Sequence, residues 1–135
     1  MQALTASSKL DFLSRFSDFE DSVLRSANVS LWPDDKRCEL LIQAPDRESP
    51  SGWSNLTLRV LGVKCVHLDR SRYGVEVLGF GLQVFFQADA VYLFLDASYE
   101  REVMPELSSN AAFVTGEGVE WEATSYRPPN PPQTR

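Results

Sequence analysis

The apolar residues of this chain recur every second position, in short runs broken by Gly, Pro and Asp. No other feature constrains the fold as much, because a period of two puts side chains on alternate faces of an extended backbone. Val23, Ala27, Val29 and Leu31 alternate with Leu24, Ser26, Asn28 and Ser30. Trp32-Pro33-Asp34-Asp35-Lys36 then offers turn chemistry, with proline preset for a type I turn. Cys38, Leu40, Ile42 and Ala44 follow, alternating with Arg37, Glu39 and Gln43, so a hairpin is predicted here. Further strands are expected over Leu56–Val60, Val63–Leu68, Tyr73–Leu78, Leu82–Gln87 and Ala90–Asp96. Gly62 marks a bend. The last three strands are the richest in Val, Phe, Tyr and Leu, which predicts them at the sheet centre. A final hairpin is expected between Ala111–Thr115 and Val119–Ser125 across Gly116-Glu117-Gly118.

Only one segment has a helical period. Phe12, Leu13, Phe16 and Phe19 form a single apolar stripe over Ser8–Phe19, with Ser8 as N-cap and Asp11 in the first turn. Ala44–Trp53 is a polar loop, expected exposed and mobile. Tyr99–Ser109 is polar and acidic. Arg127–Arg135 holds four prolines, which predicts a disordered tail. At 135 residues, 43% of them hydrophobic, the chain is long enough for one core without metal or disulfide support. We therefore expect one β-rich domain over 1–126 and the tail over 127–135. Its class is α+β: an antiparallel sheet of seven to nine short strands, curled or doubled over, with one N-terminal helix.

Motifs for chemistry are sparse. Cys38 and Cys65 form no C-x-x-C and have no histidine cluster, so no zinc or redox site is expected. Free cysteines in strands are commonly small buried apolar residues. His67, the single histidine, shares a strand face with Cys65, but i and i+2 side chains stand too far apart for a thiolate–imidazole pair. Gly79-Phe80-Gly81 is followed by a strand, where a phosphate loop needs a helix N-terminus. Adjacent acids such as Asp34-Asp35 point apart in a turn. No catalytic residue, cofactor or metal is expected. The opening residues lack a basic and then apolar stretch, and no apolar run is long enough to span a bilayer, so a cytoplasmic protein without membrane contact is expected.

Charge is more informative. The chain carries a net −6, the wrong sign for nucleic-acid phosphates. Residues 89–126 hold eight acids against Arg101 alone, a local charge of −7. A one-sided negative field speeds encounter with a basic partner. Glu120 and Glu122 lie on one face of the last strand, with Val119, Trp121 and Ala123 on the other. Glu100, Glu102, Glu106, Glu117, Glu120 and Glu122 are the candidate steering residues, with Trp121 as a possible anchor.

The segments Phe19-Glu20-Asp21-Ser22-Val23-Leu24, Asn28-Val29-Ser30-Leu31 and Leu56-Thr57-Leu58-Arg59-Val60-Leu61-Gly62-Val63, with Trp53 just before the last, carry a resemblance. Over about residues 19–95, the hydrophobic pattern resembles small β-rich bacterial domains, some of them immunity proteins of polymorphic toxin systems. The resemblance implies a protein that binds and neutralises a toxin without catalysis, and it transfers no individual site residue. The leading expectation is thus a non-catalytic protein-binding module with a basic protein partner. A small-ligand-binding or accessory domain comes second, and an enzyme using His67 third.

Overall fold

A computed structural model of the chain describes residues 1–68, 77–78, 81–95 and 112–126. Its elements, in chain order, are β1 (Gln2–Leu4), α1 (Lys9–Arg15), β2 (Ser22–Trp32), β3 (Asp35–Pro45), β4 (Trp53–Leu61), β5 (Cys65–His67), β6 (Val77–Leu78), β7 (Leu82–Gln87), β8 (Ala90–Leu95), β9 (Ala112–Gly116) and β10 (Gly118–Ser125). Two antiparallel sheets result, one of six strands in the order β1-β10-β4-β3-β2-β6 and one of four in the order β5-β9-β8-β7. The class is α+β, with the strands doubled over in two layers. The strand beyond the expected nine is β1, whose three residues are too few to show a period.

One apolar core joins the layers. Leu40, Ile42, Leu56, Leu58 and Val60 from the large sheet meet Leu82, Val84, Val91, Leu93 and Val114 from the small one. The alternation read from the sequence explains it: in β3 and β4 every second residue is buried. The stripe of α1 and the turn after it closes the core, with Phe12 and Phe16 against Trp121 at ring-centre distances of 5.1 and 5.6 Å.

The structure corrects five expectations. First, α1 stops at Arg15, short of Phe19. Ser17, Asp18 and Phe19 all have positive φ, so the right-handed helix cannot continue through them and they form a single short 3-10 turn. The chain instead turns tightly, and the Phe19 amide donates to the Phe16 carbonyl at 2.9 Å. The apolar stripe survives because that turn still aims Phe19 into the core, fully buried. Ser8 does not cap α1 with its side chain; its Oγ accepts from the Thr5 amide at 2.9 Å.

Second, β9 and β10 are not a hairpin. β9 pairs with β5 and β8, while β10 pairs with β1 and β4. Gly116-Glu117-Gly118 therefore carries the chain from one sheet to the other. A Cβ on Gly116 would lie 2.6 Å from Val60 Cγ1 and 2.7 Å from the Leu61 carbonyl, so this corner passes too close to β4 for a side chain.

Third, β7 and β8 lie in the smaller sheet, and the centre of the larger one is β3 and β4. Their richness in aromatics reflects a second burial: Phe85, Phe94 and Phe113 pack together on the face away from the main core. Fourth, the polar loop is tied down. Asp46 within it is 3% exposed, and Ser49 Oγ donates to the Trp53 carbonyl at 2.7 Å. Fifth, of the two cysteines Cys38 is buried in the core and Cys65 is exposed; both are free. The expected strand start at Tyr73, the acidic stretch 99–109 and the tail 127–135 fall outside the described residues, apart from the short pairing of β6.

Candidate functional site

The outward side of the large sheet gathers the charged residues. The β3, β4 and β10 registers place Glu39 opposite Arg59 and Arg59 opposite Glu120, so three adjacent strands present one row across the sheet. Arg59 Nε donates to Glu39 Oε1 at 2.7 Å, and its Nη1 donates to Glu120 Oε1 at 2.9 Å. The Glu39 hydrogen bond above all, with the Glu120 bond and both carboxylate charges, raises the Arg59 guanidinium pKa and outweighs burial, which alone would lower it. Arg37 extends the row, 3.8 Å from Glu39 and 3.4 Å from Asp35. Exposed pairs of this kind contribute about 0.2–1 kcal/mol each, so the row pins side chains more than it holds the fold.

The steering residues divide accordingly. Glu120 and Glu122 do share the outer face, but Arg59 neutralises Glu120. Sequence reasoning missed this because Arg59 lies 61 positions away, and only strand register brings the two together. Glu122 is exposed on the same strand, and Glu117 is exposed at the β9–β10 corner, folded against Gly62. Glu100, Glu102 and Glu106 lie outside the described residues.

Trp121 is corrected as an anchor. It is 8% exposed, packed by Phe12 and Phe16, with the Arg15 guanidinium over its ring at 5.4 Å. Only its edge reaches the surface, too little for an anchor that a partner would bury. The same alternation that puts Glu120 and Glu122 outside drives Trp121 inward.

Arg15 is the centre of a second polar cluster. Its Nε and Nη2 donate to the two oxygens of Asp46 at 2.9 and 3.1 Å, Ser54 Oγ donates to Asp46, and the Glu48 amide donates to Asp46 at 2.9 Å. Burial on its own would push the Asp46 carboxyl up; these donors and the Arg15 charge outweigh it and hold the carboxyl below the usual range. Every oxygen of Asp46 is occupied, so the cluster is a clamp joining α1 to the loop before β4. No local sequence signal marks it, since Arg15 and Asp46 are 31 residues apart.

Nearby, Met1, Gln2, Arg15, Trp121, Glu122 and Ala123 line an open depression of about 290 Å³, at the lower end of the range of about 300–1,000 Å³ usual for small-molecule sites. His67 is exposed on β5, its ring 5.6 Å from that of Phe113. Among the described residues, no group of three or more His, Cys, Asp or Glu side chains is placed to hold a metal ion. No helix among them is long and apolar enough to cross a membrane. No protein-family model matches the chain, and neither does any curated protein or solved structure.

Proposed function

We propose that this chain is a cytoplasmic protein-binding module with no chemistry of its own. It takes a basic protein partner, as an immunity protein takes the toxin it neutralises. The observation that carries this reading is the open outer face of the large sheet. There Glu122 stands exposed beside the half-exposed row Glu120–Arg59–Glu39, and Glu117 is exposed at the corner where β10 begins. A rigid sheet holds these groups at fixed spacing, so a cationic partner meets them without an ordering cost. Net charge supports the same sign of partner, because a field of −6 raises encounter rates with cations. Arg59 sets the register of contact: a partner cation docks beside it on Glu122 and is turned away from Glu120.

The reading expects a toxin-type domain encoded in the neighbouring gene, and its absence there overturns it; the test is co-expression of the full chain with that domain. Wild-type chain restores growth and forms a complex whose association rate falls as salt is raised. The double variant Glu117→Lys/Glu122→Lys slows association by about tenfold or more at low salt and loses the protection. A neighbouring toxin domain that the wild-type chain neither binds nor neutralises overturns the reading. Protection that survives the double charge reversal overturns the assignment to this face.

A further inference from the structure

The large sheet ends, among the described residues, in an edge built unlike a protected one. Among the described residues, β2 is paired on that side only at Ser22 and Val23, by β6. A register shift at Arg25 follows, and from there to the Pro33-Asp34 turn lie seven regular residues, Ser26–Trp32. Six of the seven are exposed and Ser30 is half-buried. Val29 is 42% exposed, Leu31 73% and Trp32 72%. Natural edge strands are guarded by charges, prolines or bulges along their length. Here the guards stand only at the two ends, and no charged residue lies between Arg25 and Asp34.

We infer that β2 pairs antiparallel with β2 of a second copy of this chain, about a two-fold axis through Val29. The stretch suits a second copy by its composition: it is uncharged throughout, with a cation at one end (Arg25) and an anion at the other (Asp34). Ser26–Trp32 is centred on Val29, so antiparallel self-pairing there uses every residue. Ser26 then faces Trp32, Ala27 faces Leu31, Asn28 faces Ser30, and Val29 faces its mate. Opposed residues share a face, so Ala27, Val29 and Leu31 of both copies join into one apolar strip, on the side where Leu40 and Cys38 of β3 point. No like charges meet. At each end Arg25 comes level with Pro33 of the other copy, beside the Asp34 carboxylate, which makes the ends complementary in charge. A two-fold pairing of this kind is isologous and closed, so the edge is consumed and no fibre grows. The outer faces of the two sheets stay on one side of the dimer. The pairing needs no partner on that face and is tested without one.

Sedimentation of the full chain across a dilution series should give twice the 15.2 kDa chain mass, falling toward one chain mass on dilution. Val29→Lys puts two ammonium groups opposite each other at the axis and should leave a single-chain mass at every concentration, with unchanged far-UV dichroism because Val29 is exposed in one chain. In a Cys38→Ala/Cys65→Ser background, which removes the thiol opposite position 29 as well as the exposed one, Val29→Cys should form an intermolecular disulfide on mild oxidation, whereas Ser26→Cys should not cross-link to itself. A single-chain mass for the wild type at all concentrations overturns the inference. So does a dimer that Val29→Lys leaves intact, or self-cross-linking at position 26 in place of 29.

Discussion

Asp46 shows how much one side chain can hold in this molecule. Its carboxylate receives two hydrogen bonds from Arg15, one from Ser54 and one from the Glu48 amide, while Arg15 spreads over the rings of Phe16 and Trp121. Removing the acid leaves the Ser54 hydroxyl without its acceptor and Arg15 with only the exposed Glu48 carboxylate, 3.6 Å away, at the edge of the core. Asp46→Ala should therefore cost about 3 kcal/mol, the lower end for breaking a buried pair because Arg15 keeps some solvent contact, measured by urea unfolding. The pH dependence has a definite sign. Because the folded carboxyl titrates below the unfolded one, at about 3.9, the unfolded state takes up the proton first as pH falls. The stabilisation is complete above that range and is lost as pH drops through it toward the lower folded value. Asp46→Asn should flatten that part of the acid-unfolding curve. Cys38 is a quieter case: burial, with a smaller contribution from the Glu39 charge, pushes its thiol up to about 11, as suits a core residue.

Among the elements, the short connections carry constraints that side-chain pattern does not announce. Gly81 has φ +80°, and a Cβ there would fall 2.1 Å from the Asp18 carbonyl oxygen; β7 can begin only by passing under the turn that ends the helical segment. Gly52 has φ +81° with nothing within 4 Å, and Gly118 has neither a positive φ nor a close neighbour. The three separate dihedral strain from collision. Gly52→Ala should cost about 1 kcal/mol, the strain of a left-handed non-glycine residue. Gly81→Ala should cost about 2–3 kcal/mol, since backbone must also move, and Gly118→Ala should be close to neutral. Thermal unfolding of the three variants reads the order directly. Gly62 illustrates a signal that was legible: a glycine between two apolar runs marked a bend, and its φ is +59°. The pairing of β9 with β10 was misread for a related reason. A Gly-x-Gly between two alternating runs has the local form of a hairpin, and the Val60 and Leu61 atoms that forbid a side chain at Gly116 lie 55 and more positions back.

At the scale of the molecule, one core fastens both sheets and the helix together. Phe16 is fully buried between Phe12, Phe19 and Trp121, at the junction of all three. Phe16→Ala should destabilise by about 3–5 kcal/mol. Tryptophan fluorescence and far-UV dichroism should report the same shifted midpoint, because the layers share one apolar interior and unfold together. A split of the two signals into separate transitions would show instead that the sheets are independent.

Local alternation was enough to tell this chain that it is mostly strand, which residues of β3 and β4 face inward, where the β2–β3 turn falls and that Glu120 and Glu122 point away from Trp121. Those properties depend on neighbours two to four positions apart, so they are written in order along the chain. Which strands lie side by side is another matter. The split into two sheets, the Arg59 bridge between Glu39 and Glu120, the Arg15–Asp46 clamp and the exposed flank of β2 each join residues dozens of positions apart, or expose residues whose pattern suggests burial. Such pairings are settled by competition among all possible strand neighbours for a single shared core, and that competition takes place only in three dimensions.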